Sequence, residues 1–174
     1  YIADQMKAYL NDQGIQSGLI NLGGNAHVLG SKPDGSAWKV GIQDPNDTNG
    51  YLGGVSVRDK AIITSGGYER YFVDEATGVK YHHIIDPKTG HSANNGLISV
   101  TIVSADSTLA DGLSTSLFVL GTEDAIAYCK EHCAEDGFDV IMEDEDGKLY
   151  ITDGIMDDFI NMNNTTNIQE IKTK

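Results

Sequence analysis

The chain has 174 residues, long enough for one domain with a substantial core, and 40% of them are hydrophobic. It carries 12 basic and 26 acidic residues, a formal net charge of -14, which repels nucleic acid and anionic membranes. We therefore do not expect nucleic acid as a partner, and no apolar run approaches the ~20 residues that cross a bilayer.

The first half of the chain predicts one helix followed by short strands. Ile2, Met6 and Leu10 recur at helical spacing, and the chain then reaches a glycine, so we predict a helix over residues 2–13. Short apolar runs between turn residues predict strands. They lie at residues 18–22, 26–29, 38–42, 55–58, 61–64, 71–73 and 81–85, with a polar loop at 44–51.

The second half alternates between strand and helix. The β-branched run at 97–104 (LISVTIVS) predicts a regular strand. Residues 107–120 predict a helix that Asp106 or Ser107 caps, and a second helix follows over 122–133. Further strands are predicted at 138–143 and 148–152.

This mixed order of strands, hairpins and helices predicts an α+β fold, with mixed or antiparallel sheets packed against a few helices. We place the domain at residues 1–160 and expect the polar tail at 161–174 to be disordered. Cys129 and Cys133 lie four apart on a predicted helix, where the geometry does not suit a disulfide, so we interpret them as structural thiols.

The helix at 107–120 carries the first candidate site. Its predicted apolar stripe consists of Leu109, Leu113 and Leu117, widened by Val119 and Leu120. Asp111 and Thr115 lie one turn apart on another face, where they form either a solvent-facing pair or a site for a hard cation such as Mg²⁺. Gly112 between them costs about 1 kcal/mol relative to Ala, which indicates that something packs closely there.

Two glycine-rich patches are further candidates. Gly23, Gly24 and Asn25 follow an apolar strand, and such a turn either exposes amides to a phosphate or is simply structural. Residues 64–72 (TSGGYERYF) combine hydroxyls, glycines and aromatic rings. That composition suits a polar ring system with phosphates, and it suits equally a turn that leads into an edge strand.

The segment YHHIIDPKTG, residues 81–90, ends a predicted strand at an Asp-Pro turn. His83 stands three residues before Asp86, a spacing that suits a base and the carboxylate that orients it. Asp-Pro also initiates ordinary turns, and a histidine at a strand end is often structural, so spacing alone leaves both interpretations open. His82 receives no predicted role.

Six motifs, taken together and in order, resemble those of the ApbE family, the FAD:protein FMN transferases. They are INLGGN, WKVGIQDP, TSGGYERYF, YHHIIDPKTG, SVTIV and ADGLSTSLFVLG. The resemblance runs from Tyr1 to about residue 155. It implies an enzyme that binds FAD and Mg²⁺, cleaves the diphosphate, passes FMN to a threonine hydroxyl of a target protein and releases AMP.

The resemblance also implies roles for individual residues. Asp111 and Thr115 match the metal-binding carboxylate and hydroxyl, His83 matches a histidine that takes up a proton or contacts phosphate, and Ile85 matches the wall of the flavin pocket. The other implied cofactor-binding residues are Asp86, Gly23, Gly24, Asn25, Ser65, Gly66 and Tyr68. In a chain of net charge -14, a cation at the first pair would screen the diphosphate.

Two departures from the family pattern affect this expectation. Many members carry a second carboxylate just before the metal-binding threonine, where this chain has Ser114, so we expect weaker metal binding or a contact through water. The family's N-terminal portion is missing before Tyr1, so we expect an incomplete adenosine pocket. The family is typically exported and lipid-anchored in bacteria, so we expect an extracytoplasmic, membrane-anchored protein, and a homodimer is compatible with it.

Two other functions remain open from the sequence. If water replaces the threonine hydroxyl, the protein is a Mg²⁺-dependent FAD pyrophosphatase that gives FMN and AMP. Ser114 and the missing portion would also fit a non-catalytic flavin-binding module. The chain lacks the Ser/Thr-Gly-Ala-Thr pattern of flavinylated partners, so we do not expect it to be the flavin acceptor itself.

Overall fold

The structure, a computed structural model, describes residues 1–47 and 49–174. Its elements follow in the order α1 (Ile2–Asp12), β1 (Gly18–Leu22), β2 (Asn25–Leu29), β3 (Trp38–Gln43), β4 (Tyr51–Val57), β5 (Ala61–Gly66), β6 (Tyr71–Val73), β7 (Lys80–His82), β8 (Leu97–Ser104), α2 (Ser107–Leu120), α3 (Thr122–Asp136), β9 (Phe138–Asp144), β10 (Leu149–Thr152), α4 (Asp153–Met156), β11 (Phe159–Asn161) and β12 (Ile168–Ile171). Residue 48, in the loop predicted at 44–51, lies outside the described residues.

A seven-stranded sheet forms the centre of the fold, in the order β1-β2-β5-β8-β9-β10-β12. Neighbouring strands are antiparallel except β10 and β12, which are parallel. A three-stranded sheet (β11-β4-β3) and the hairpin β6–β7 complete the strand structure of the described residues. This mixture of helices and mainly antiparallel sheets confirms the predicted α+β fold.

The central sheet is buried on both faces, because each face packs against another layer. On one face, Val100 and Ile102 of β8 pack with Phe118 of α2 in a core that α3 also joins. On the other face, Val103 packs with Val55 of the three-stranded sheet. Among the described residues, no helix is long and apolar enough to cross a bilayer.

The two cysteines lie in the core between α3 and the sheet. Both thiols are free and buried, as their interpretation as structural thiols requires. A hydrogen bond with Cys129 and burial raise the pKa of the Cys133 thiol.

The C-terminal segment is ordered where we predicted disorder. Ile168–Ile171 forms β12, which pairs in parallel with β10. Ile171 is 1% exposed and belongs to the same core as the helices. The prediction of disorder was wrong for this strand. The segment is mostly polar, and its two isoleucines become part of a strand only by pairing with β10, which is not adjacent in sequence.

The strand predicted at 81–85 is also shorter than expected. β7 ends at His82, and the chain then turns back, with Ile85 forming an isolated bridge to Ser92. The reversal has a local cause, since Asp86 accepts hydrogen bonds within the turn that follows it.

Candidate functional site

The N-terminus of α2 is fixed by carboxylates from two places in the chain. Asp106 caps the helix by accepting hydrogen bonds from the backbone N–H groups of Thr108 and Leu109, at 2.8 and 2.9 Å. Asp4 of α1 accepts from the N–H of Ser107 at 3.1 Å and from the Thr108 hydroxyl at 2.8 Å. Burial would raise the pKa of Asp4, but these hydrogen bonds outweigh it and lower the pKa to about 2.

The buried face of α2 is offset from the predicted stripe. The buried residues are Ser107, Ala110, Ser114, Leu117 and Phe118. Leu109 and Leu113 of the predicted stripe are only half-buried, because small side chains on the buried face let the helix approach β5 and β8. No protein atom of the described residues packs closely at Gly112, since a Cβ there would meet none within 4 Å.

Asp111 and Thr115 are exposed on the outer face of α2, one turn apart. Asn25, at the start of β2, donates a hydrogen bond from Nδ2 to Oδ1 of Asp111 at 3.2 Å. The fold therefore brings the Gly23-Gly24-Asn25 turn to the candidate cation ligands. Both glycines have positive φ, 65° and 98°, a conformation that favours glycine, and the N–H of Gly24 donates to the side chain of Asn21.

Ser65 connects the TSGGYERYF patch to the same helix. Its Oγ lies 2.9 Å from Oγ of Ser114 and 3.1 Å from Oγ1 of Thr115. The sequence predicted Ser65 and Thr115 as separate candidates, and the packing of α2 against β5 places them side by side. Ser114 is 0% exposed and points into the interface between helix and sheet, so it does not face the cation site.

Gly66 and Tyr68 lie in a tightly packed part of the same patch. A Cβ on Gly66 would lie 2.3 Å from the Tyr68 ring, so this glycine makes room for the ring. Tyr68 lines a small cavity of about 190 Å³ together with His82 and Phe118. Burial, and then the charge of Glu69, raise the pKa of the tyrosine to about 12.

His82 anchors the loop that follows β7. Its Nδ1 accepts a hydrogen bond from the N–H of Ile84 at 3.3 Å, and Nε2 lies 3.0 Å from the carbonyl oxygen of Ala93. This arrangement requires a neutral ring with the proton on Nε2. The ring also lies 2.8 Å from where a Cβ of Gly67 would be, which explains that glycine. No role was predicted for His82 from the sequence, whereas in the structure it is a buried support for the loop.

His83 is exposed and contacts backbone. Its N–H donates to the carbonyl oxygen of Arg70 at 3.2 Å, and its Nδ1 lies 3.4 Å from the same oxygen. Because a carbonyl oxygen only accepts, this contact favours, for the neutral ring, the tautomer with the proton on Nδ1, in which Nε2 carries the lone pair. Among the described residues, no hydrogen bond or ion pair joins Asp86 to the ring. Its Oδ1 accepts from the N–H of Lys88 at 2.8 Å, so of the two interpretations left open by the sequence the structure shows the ordinary Asp-Pro turn.

Two cavities meet the exposed face of α2. A groove of about 1090 Å³ has Thr115 in its lining, together with Ile85, Asp86, Val119 and Leu120 among others. A smaller cavity of about 300 Å³ is lined by Asn25 and Asp111, among others. The two candidate cation ligands therefore lie between two spaces, one of which has a largely apolar wall.

The residues present fit a hard cation with few protein ligands. Oδ1 of Asp111 already accepts from Asn25, which leaves Oδ2 and the Thr115 hydroxyl as oxygen donors on the open side. Among the described residues, no group of three or more His, Cys, Asp or Glu is arranged to hold a metal ion. A cation here would complete its shell with water and with oxygens of a bound ligand, which is how proteins usually hold Mg²⁺.

The sequence also matches known proteins. The model of the ApbE family matches residues 1–142. A FAD:protein FMN transferase from Treponema pallidum is 40% identical over 166 residues, which cover 90% of this chain and 44% of that protein. A FAD:protein FMN transferase from Klebsiella pneumoniae is 41% identical over 132 residues, 75% of this chain and 39% of that protein.

Solved structures share the fold. The crystal structure of the ApbE protein from Thermotoga maritima superposes with a TM-score of 0.76 at 32% identity, covering 87% of this chain and 48% of that one. The flavin transferase ApbE from Vibrio cholerae gives a TM-score of 0.69 at 36% identity, covering 85% of this chain and 46% of that one. The chain thus spans less than half the length of these relatives.

Proposed function

The chain belongs to the ApbE family, and from this premise we propose that the full-length protein is a Mg²⁺-dependent FAD:protein FMN transferase. It transfers the FMN half of FAD to a threonine hydroxyl of a target protein and releases AMP. The observation that carries the proposal is the exposed pair Asp111 and Thr115, which lies between two cavities. Such a pair can hold a cation against a diphosphate whose two halves extend to either side.

The larger groove suits the flavin ring. Ile85, Val119 and Leu120 give it an apolar wall, and Asn95 adds a polar group, a combination typical of sites for planar cofactors. The adenosine half would extend toward the smaller cavity beside Asn25. Because the chain carries a net charge of -14, the diphosphate between the two halves depends on a cation and on the N–H groups of the Gly23-Gly24 turn.

The chemical step is an in-line displacement at the flavin-side phosphorus. The threonine oxygen of the target forms the new O–P bond, the bond from this phosphorus to the bridging oxygen breaks, and AMP leaves. The hydroxyl proton passes to Nε2 of His83, which carries a lone pair when Nδ1 donates to Arg70. Mg²⁺, when bound, supplies electrostatic stabilisation of the charge that develops on the diphosphate.

Hydrolysis is the competing function, since the same site with water as nucleophile gives FMN and AMP. One experiment separates the two. The full-length protein is incubated with FAD, Mg²⁺ and an acceptor domain that carries a Ser/Thr-Gly-Ala-Thr segment, and both AMP and flavin fluorescence on the denatured acceptor are measured.

The transferase proposal predicts equal amounts of AMP and acceptor-bound FMN, and little AMP when the acceptor is absent. Equal AMP release with and without the acceptor, accompanied by free FMN, would show a pyrophosphatase. Tight FAD binding with no AMP in either sample would show a non-catalytic flavin-binding module.

The placement of the protein is a further part of the proposal. An extracytoplasmic site with a lipid anchor, and a homodimer as the assembly, follow from the family resemblance. Membrane fractionation of the native protein, with and without lipase treatment, tests the anchor, and light scattering tests the assembly.

A further inference from the structure

Three hydroxyl groups and one carbonyl form a continuous chain beneath the candidate cation site. Oγ1 of Thr115 lies 3.1 Å from Oγ of Ser65, which lies 2.9 Å from Oγ of Ser114. The Ser114 hydroxyl donates to the backbone carbonyl oxygen of Asp111 at 3.0 Å. The chain therefore starts at one candidate ligand and ends at the backbone of the other.

The positions of the hydroxyl hydrogens follow from the number of donors and acceptors in this series of hydrogen bonds. There are three hydrogen bonds and three hydroxyls, each with one hydrogen, and the carbonyl of Asp111 can only accept. Ser114 must therefore donate to that carbonyl, Ser65 must donate to Ser114, and Thr115 must donate to Ser65. No other assignment forms all three bonds.

This order decides which way the Thr115 hydroxyl faces. Its hydrogen points inward to Ser65, so its lone pairs face the open side, where Asp111 presents its carboxylate. A hydroxyl binds a cation through a lone pair, with its hydrogen directed away. We propose that Ser65 and Ser114 are positioning residues that hold the Thr115 oxygen ready for the cation, an inference that rests on the proposed cation site.

The same hydrogen bonds give Ser114 a different role from the one expected from the sequence. From the sequence, this serine stood in place of a second carboxylate and was expected to weaken metal binding. It is 0% exposed and hydrogen-bonded at both ends of its hydroxyl, so it acts from behind the site and is not a substitute ligand. The two serines thus support Asp111 and Thr115 through hydrogen bonds from behind, as residues around many metal sites support the metal ligands.

The test measures metal binding without turnover. Mn²⁺ is titrated into the metal-free, full-length protein in the absence of FAD, free Mn²⁺ is followed by electron paramagnetic resonance, and Mg²⁺ is added to displace it. Ser65→Ala and Ser114→Ala are expected to raise the dissociation constant for Mn²⁺ about tenfold. Ser65→Thr, which keeps a hydroxyl, should restore binding.

Thr64→Val provides the matched control. Thr64 lies next to Ser65 on β5 and makes a hydroxyl–hydroxyl contact of 2.8 Å with Thr101. This contact is not part of the series of hydrogen bonds that ends at the Asp111 carbonyl. This variant should lower the melting temperature as much as the serine variants do while leaving Mn²⁺ affinity unchanged. Equal losses of Mn²⁺ affinity in Thr64→Val and Ser65→Ala would show a general structural effect and overturn the proposal.

The outcomes separate this inference from the proposed function. If Ser65→Ala binds Mn²⁺ like the wild type while Asp111→Ala does not bind it, the hydroxyl chain has no positioning role and the cation site stands. If the wild type binds no Mn²⁺ that Mg²⁺ displaces, the cation site itself fails, and the proposed function fails with it.

Discussion

His82 and His83 are neighbours in sequence, yet their surroundings differ in every respect that matters for proton transfer. The His82 ring is buried, and hydrogen bonds engage both of its nitrogens. The His83 ring is exposed, and within the described part of the chain its one hydrogen-bonding contact joins Nδ1 to a backbone carbonyl. The alternation of side chains along an extended chain explains the contrast, because consecutive residues point to opposite faces.

Replacing His83 by alanine should therefore remove transfer and spare the fold. We expect FMN transfer in His83→Ala to fall about 100-fold, the typical contribution of a general base, with FAD affinity largely retained. His91→Ala, an exposed histidine in the same loop, is the control. Transfer at the wild-type rate in His83→Ala would rule this residue out as the proton acceptor.

Glu143 is a buried acid that sequence reasoning missed. It is 4% exposed, Oε1 accepts from Nδ2 of Asn46 at 3.3 Å, and Oε2 has no hydrogen-bond partner among the described residues. Burial, followed by the charges of Asp44 and Asp144, raises the pKa of Glu143 to about 7. The sequence shows only one more glutamate at a strand end, since the burial comes from elements far apart in the chain.

This raised pKa predicts a pH-dependent stability. The folded state holds the Glu143 proton more tightly than the unfolded state, so the stabilisation is complete at low pH and is lost as the pH rises through about 7. Relative to the wild type, Glu143→Gln should gain roughly 3 kcal/mol of unfolding free energy between about pH 4 and about pH 8.5. Urea denaturation at both values checks this, and a difference that does not change with pH would contradict it.

At the scale of elements, β12 is a strand that the sequence does not predict. The residues of β10 predict a strand by their own apolar character, whereas Ile168–Ile171 becomes a strand only through parallel pairing with β10. The helix α2, by contrast, carries its own start signal in Asp106 and its own length, so its bounds are predicted correctly. A helix such as α2 can be predicted from neighbouring residues, whereas a strand such as β12, which depends on a distant partner, cannot.

Truncation of Ile171 should therefore destabilise the whole domain. Ile171→Ala removes a side chain from the main core and is expected to cost about 2–4 kcal/mol of unfolding free energy, measured from the urea midpoint. Lys172→Ala, which changes an exposed residue of the same segment, is the control. A wild-type midpoint for Ile171→Ala would show that this segment is not part of the folded domain.

At the scale of the whole molecule, the site is a product of topology. The sequence identified Asp111 and Thr115 because helical spacing is local, and it identified the glycine-rich patches by composition. It could not show that Asn25 would reach Asp111 or that Ser65 would contact Thr115, since those contacts depend on the order of strands in the central sheet. The order of seven strands has many alternatives that satisfy the same local patterns.

The charge of the molecule belongs to the same scale. A net charge of -14 works against binding of a diphosphate anywhere on the surface, so the proposed binding of FAD depends above all on a cation. Asp111 is the one carboxylate of the proposed cation pair, and it is exposed, so its removal should leave the fold intact.

The most direct test is Mg²⁺-dependent release of AMP from FAD by the full-length Asp111→Ala protein in the presence of the acceptor. Asp157→Ala, which changes an exposed carboxylate just after α4 and outside the proposed site, is the control. We predict that AMP release falls at least about 100-fold in Asp111→Ala, with an unchanged melting temperature, and stays at the wild-type level in Asp157→Ala. Wild-type turnover in Asp111→Ala would contradict the account.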